Sequence, residues 1–183
     1  MFITGTDDSP IGLYGIKFFI RGRPWIVNVD DKLLFENGSI KYMQVADNGS
    51  MWAAILEKAW AKAKGNYAQT DGGFVVSGLR SITGAPVFTY APSSSTYTYT
   101  TDQSYALLEA ADTANYMMGA GTASGSNSNI NDCGLAYGHA YAILAAFTMD
   151  STKMVLMRNP WGRTSYSGPW KHDDSAWTDT LVA

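Results

Sequence analysis

The sequence predicts an α+β domain built on an antiparallel sheet, and three features carry that prediction. Two β-branched and aromatic runs near the start are joined by a short Gly/Pro connection, one strongly amphipathic helix follows, and two apolar strands flank a polar turn near residue 150. A chain of 183 residues is long enough for one core, and one compact unit over 1–183 is expected. Its composition, 46% hydrophobic and only 16% charged, argues against intrinsic disorder and for a folded, soluble domain.

The first element is a hairpin, with extended runs at 16–20 and 25–29 joined by Arg21-Gly22-Arg23-Pro24. Asp30-Asp31 ends the second strand, and Glu36-Asn37-Gly38-Ser39 supplies a further turn before 40–45. Over 50–64, Trp52, Ile55, Leu56, Ala59, Trp60 and Ala63 recur at helical spacing, with Ser50 as expected N-cap and Gly65 as stop. This apolar face is expected to pack on the sheet, burying Trp52 and Trp60. A Gly-rich stretch leads to a short helix at 77–82, and 86–101, with Ser93-Ser94-Ser95, reads as loop. A weaker helix spans 104–114, a strand starts at 116–118, and 119–132 is a Gly/Ser/Asn loop of the kind found near binding sites. Strands at 140–148 and 154–158, joined by Asp150-Ser151-Thr152-Lys153, complete the sheet.

Several function classes are excluded early. The net charge is only -3 and no basic stripe occurs, so nucleic acid has no electrostatic footprint to bind, and anionic lipid is equally disfavoured. The longest apolar run, 140–149, is about half of the roughly 20 residues a membrane-spanning helix needs. Residues 1–8 show neither the basic nor the apolar region of a signal peptide. A single cysteine, Cys133, rules out an internal disulfide and thiolate clusters, so an intracellular, cytoplasmic setting is the simpler expectation.

Candidate chemistry centres on His139 at the start of the apolar strand. It lies ten residues before Met149, and Asn159 lies ten residues after, so a simple hairpin brings both side chains to its open end. A histidine held by an asparagine is the orienting part of a cysteine-protease triad: the amide oxygen fixes the ring, whose other nitrogen serves a thiol. Taken singly, the residues are ordinary. A strand-edge histidine is commonly a structural hydrogen-bonder, Asn159-Pro160 a turn, and Trp161 a packing aromatic.

Read together, the words are specific. Gly138-His139-Ala140-Tyr141, an apolar strand, a polar turn, Arg158-Asn159-Pro160-Trp161-Gly162 and Gly168-Pro169-Trp170 closely resemble the calpain protease core. Upstream, Val29-Asp30-Asp31-Lys32-Leu33, the helix from Met51 and Asp71-Gly72-Gly73 resemble the same family in the same order. The resemblance implies a calpain-like cysteine endopeptidase acting on protein substrates, with a papain-like C-terminal lobe, its antiparallel sheet or barrel-like body flanked by a few helices. It implies His139 as general base and acid, Asn159 as its orienter and Trp161 as an aromatic screen that strengthens their bond by excluding water. The nucleophilic cysteine is expected on a separate N-terminal lobe, absent from 1–183 and therefore the required partner. Cys133 is set aside as nucleophile because it lies outside any helix start, where the dipole would favour a thiolate.

No cofactor is needed for this chemistry. Family resemblance implies calcium, yet the loop after Gly162 opens with Arg163-Thr164-Ser165-Tyr166, and only Asp173 and Asp174 follow as carboxylates. Calcium takes six to eight oxygen ligands, so the sequence argues against a site in this lobe. Two competing readings are a catalytically inactive calpain-like interaction module and a metal-binding domain using Cys133, His139 and His172. No ligand spacing favours the second.

Overall fold

A computed structural model of the chain describes residues 9–91 and 98–178. The readings of residues 1–8 and of Ser93-Ser94-Ser95 lie outside the described residues. Contacts divide the chain into two compact units, Met1–Phe88 and Thr89–Ala183, where the sequence reading expects one; no sheet is shared between them among the described residues.

In the first unit, β1 (Leu13–Ile20) and β2 (Arg23–Asp30) pair antiparallel from Leu13↔Asp30 to Ile20↔Arg23. Arg21 and Gly22 both have positive φ, the mirror-image two-residue turn whose twist suits a hairpin. The device recurs at Asn37-Gly38 between the short strands β3 (Phe35–Glu36) and β4 (Ser39–Ile40). Helix α1 (Trp52–Lys64) lays Ile55 and Ala59 on Tyr14, Ile16, Phe18, Val27 and Val29, with Met51, Leu56, Trp60 and Ala63 at the margin. Ile55 and Ala59 form the centre of the inner face, and the stripe 51, 55, 59, 63 runs through it. Trp60 meets Phe18 edge-on at 5.5 Å between ring centroids.

Two expectations fail here. Ser50 is not the cap: its N–H donates to Asn48 Oδ1 and its carbonyl accepts from Ala46, so the preceding turn claims it and the helix starts after Met51 without a side-chain cap. Trp52 is not buried. It is 55% exposed, one position off the inner stripe, and lines an open groove with Leu56, Trp60 and Phe74. Gly65, with φ 113, stops the helix as expected. Helix α2 (Val75–Thr83) is wider than the expected 77–82 and ends on left-handed Gly84, against which the Phe19 ring packs.

In the second unit, α3 (Thr101–Thr113) begins earlier than expected because Thr100 and Gln103 form a reciprocal capping box. Strands β5 (Met118–Gly121), β6 (Ala140–Met149) and β7 (Thr152–Arg158) form an open antiparallel sheet in the order β5-β6-β7. No closed barrel occurs among the described residues, so α+β with antiparallel sheets is right and the barrel-like description is too strong. β5 draws 119–121 out of the expected loop by pairing Gly121↔Ala140 through Met118↔Ile143. Tyr105 on α3 reaches β6 through Thr148, Oη to Oγ1 3.0 Å, and Asp112 Oδ2 accepts the Ala146 N–H at 3.1 Å.

Candidate active site

The site lies within the second unit, at the end of the β6–β7 hairpin away from its turn. Asp150 and Ser151, both at positive φ, make that turn, and partners run from Met149↔Thr152 to Ala145↔Leu156. Pairing then resumes at Ile143↔Met157, leaving Leu144 as an extra residue. The bulge matters because a one-residue shift exchanges the faces of a strand. Continued past Ala142↔Arg158, the register sets Asn159 opposite Tyr141, on the face His139 shares two residues away. Without the bulge Asn159 would fall opposite Ala142, on the other face.

The His139 ring Nε2 lies 3.0 Å from Asn159 Oδ1. The same Oδ1 accepts the backbone N–H of Trp161 at 3.0 Å, and that bond fixes the amide orientation, since only the oxygen can accept it. An oxygen facing Nε2 requires Nε2 to carry a proton, so in the neutral ring Nδ1 keeps its lone pair. The Trp161 ring lies over the imidazole with centroids 4.3 Å apart and planes tilted by 41°. Tyr141 meets the imidazole edge-on at 5.0 Å, and its hydroxyl accepts the Ala136 N–H at 3.0 Å. The expected residues His139, Asn159 and Trp161 therefore converge.

The approach to His139 is set by backbone. Gly138 has φ 54, and its N–H donates to the Ala123 carbonyl at 2.7 Å. A Cβ there would stand 2.4 Å from the Gly125 carbonyl oxygen. Thr122 bonds to His139 through both its backbone and its hydroxyl. Sequence reasoning missed Thr122: it lies 17 residues away in a Gly/Ser loop, where spacing gives no signal.

Cys133 is exposed and sits in a turn, not at a helix start. Its N–H donates to Asn131 Oδ1 at 3.0 Å and its carbonyl accepts from Ser167 at 3.0 Å. Gly134 allows this loop to touch the 165–167 segment, because a Cβ would collide with the Ser165 carbonyl.

The carboxylates considered for calcium are otherwise engaged. Asp174 accepts the Trp170 N–H at 2.7 Å and the Ala176 N–H at 3.0 Å, one on each oxygen, and these bonds hold its carboxyl below the usual carboxylate range. Asp173 pairs with Lys171 at 2.7 Å, which lowers it likewise. Among the described residues no three His, Cys, Asp or Glu side chains gather as a metal site.

Chemically, the arrangement is an α+β framework presenting an imidazole with one nitrogen tied and the other open, able to take up a proton and return it. Comparison with known proteins gives this a family. Residues 3–181 match the calpain family cysteine protease model, and the chain belongs to that family. It is 31% identical over 175 residues to the calpain-type cysteine protease ADL1 of Oryza sativa subsp. japonica, covering 93% of this chain and 8% of that protein. It is 29% identical over 187 residues to Calpain-A of Drosophila melanogaster, covering 93% of this chain and 21% of that protein. Calpain-12 of Mus musculus is 30% identical over 191 residues, covering 97% and 26%. The chain thus spans a quarter or less of most of these relatives. No helix among the described residues is long and apolar enough to cross a membrane.

Proposed function

We propose that this chain supplies the histidine and asparagine of a Cys-His-Asn triad that hydrolyses peptide bonds in protein substrates. The observation that supports it most is the double use of Asn159 Oδ1, which ties Nε2–H and leaves Nδ1 as the open base. In the proposed cycle Nδ1 takes the proton of a cysteine thiol, and the thiolate attacks the substrate carbonyl carbon. The C–N bond breaks, the imidazolium gives its proton to the departing amine, and a thioester remains. Water then attacks the thioester while Nδ1 takes its proton. The C–S bond breaks, the acid product leaves, and the sulfur recovers a proton.

The nucleophile is proposed to come from a Cys-bearing N-terminal lobe outside these residues. Support comes from the exposed turn around Cys133 and from large apolar side chains left open on the first unit, including Phe74 at 80% and Phe35 at 67% exposure. A reducing, intracellular setting suits the single thiol. No calcium ligand is assigned to this chain.

The test is cleavage of a casein-like substrate. The chain alone should be inactive with or without calcium, and activity should appear when the Cys-bearing lobe is supplied. His139→Ala should then abolish turnover, Asn159→Ala should lower it without destroying it, and Cys133→Ser should leave it nearly unchanged. Cleavage by the chain alone that vanishes in Cys133→Ser would overturn the assignment of the nucleophile. An inactive assembled protein carrying an intact thiol would favour the interaction-module reading instead.

A further inference from the structure

We infer that Thr122 is a positioning residue for His139, holding the backbone on both sides of the imidazole so that Nε2 stays on Asn159; the inference rests on the cysteine-protease reading above. Three bonds from this one residue carry it. The Thr122 N–H donates to the His139 carbonyl at 2.9 Å, and the His139 N–H donates to Thr122 Oγ1 at 2.9 Å. The hydroxyl lies 2.7 Å from the Ala136 carbonyl and 3.2 Å from that of His139, so its single proton goes to Ala136. One side chain therefore closes both ends of the segment 136–139.

The geometry explains why a side chain is used. Gly138 is held at positive φ and β6 begins only at Ala140, so the ladder of β6 and β7 does not itself fix the His139 N–H. The polar grip of Thr122 continues through Ala136, whose N–H goes to the Tyr141 hydroxyl, and Tyr141 packs edge-on against the imidazole. A shift of about 1 Å at His139 would carry the ring beyond hydrogen-bond range of Asn159, and misplacements of that size can cost roughly 10²-fold in rate.

Nitrogen NMR of the histidine rings in the 183-residue chain tests this, with His172→Gln assigning the second histidine. Wild type should show His139 as the single Nε2–H tautomer. Thr122→Val, matched in shape but without the hydroxyl, should give a mixed tautomer signal while amide spectra remain folded, and Thr122→Ser should restore the wild-type signal. If Thr122→Val fails to fold, Thr122→Ala is read the same way. In the assembled enzyme the Val variant should lose about tenfold or more in kcat with KM little changed. A folded Val or Ala variant that keeps the wild-type tautomer overturns the positioning role and leaves Thr122 as a contributor to stability alone. A wild-type ring without the Nε2–H tautomer would overturn the His139–Asn159 reading itself, a different failure that takes this inference with it.

Discussion

The two units of this chain are held together by different physics. The first rests on apolar burial: Ile16, Phe18 and Ile55 are its largest fully buried side chains, and they sit in one cluster where α1 covers the β1–β2 hairpin. In the second, the buried apolar residues among those described are Tyr105, Ala136, Tyr141, Ile143 and Ala146, and the neighbourhood of His139 is fixed by hydrogen bonds with Thr122, Ala123 and Asn159. Apolar burial is non-directional, whereas directional bonds keep one imidazole in one place. The second arrangement suits a base that must meet a partner atom.

The largest effect should come from the first unit. Phe18→Ala removes a ring that is 1% exposed and in contact with Trp60, and it should cost about 3 to 5 kcal/mol in denaturant unfolding. Trp52→Ala, at 55% exposure, should cost well under half as much. Equal losses would mean that the groove beside Trp52 is closed in solution, and the contrast between an inner stripe and an open margin would fall.

Next comes Gly138→Ala in the second unit. A left-handed backbone costs a non-glycine residue about 1 to 2 kcal/mol, and the added Cβ would press on the Gly125 carbonyl at 2.4 Å. The expected result is a loss of stability greater than that backbone cost alone, because the Gly125 backbone must shift, together with a clear change in the His139 ring signals. A full loss of fold would show that this loop carries the unit's stability as well as its geometry.

These contrasts explain what could be read in advance. The hairpin, α1 and the β6–β7 pair follow from period and turn chemistry, because each is set by neighbours in sequence. His139 and Asn159 were legible as neighbours at the ends of one hairpin, but their roles, and that of Trp161, came from the resemblance of the surrounding words to the calpain family, because spacing alone does not foresee the bulge that puts Asn159 on the face of His139. Ser50 and Trp52 misled because helical spacing does not say where a turn releases the chain or which of two adjacent stripes lies inward. β5 and Thr122 depend on pairing between segments far apart in sequence, and the Leu144 bulge shifts the register inside a hairpin whose apolar run is uniform, so local pattern carries no record of either.

The smallest expected effect separates two carboxylates, one in each unit, by the way each is held. Asp30 is lowered first by the hydrogen bond from Lys58, which runs from α1 at 2.5 Å, and then by the Lys32 N–H. Asp174 is lowered by two backbone N–H groups, from Ala176 and Trp170. In both cases the folded carboxyl titrates below its ordinary 3.8, so its stabilisation is fully present above that value and is lost as pH falls through the folded range. Asp30→Asn and Asp174→Asn should therefore each differ most from wild type near neutral pH and converge on it in acid. Salt should split them. At about 1 M the screening length is roughly 3 Å, so the exposed Asp30–Lys58 pair should lose much of its contribution, while the short bonds to Asp174 keep theirs. Urea unfolding of both variants at pH 7, with and without salt, reads this directly. If Asp174→Asn proves as salt-sensitive as Asp30→Asn, Asp174 relies on charge where the geometry assigns directional backbone bonds, and the comparison of the units narrows to their apolar cores.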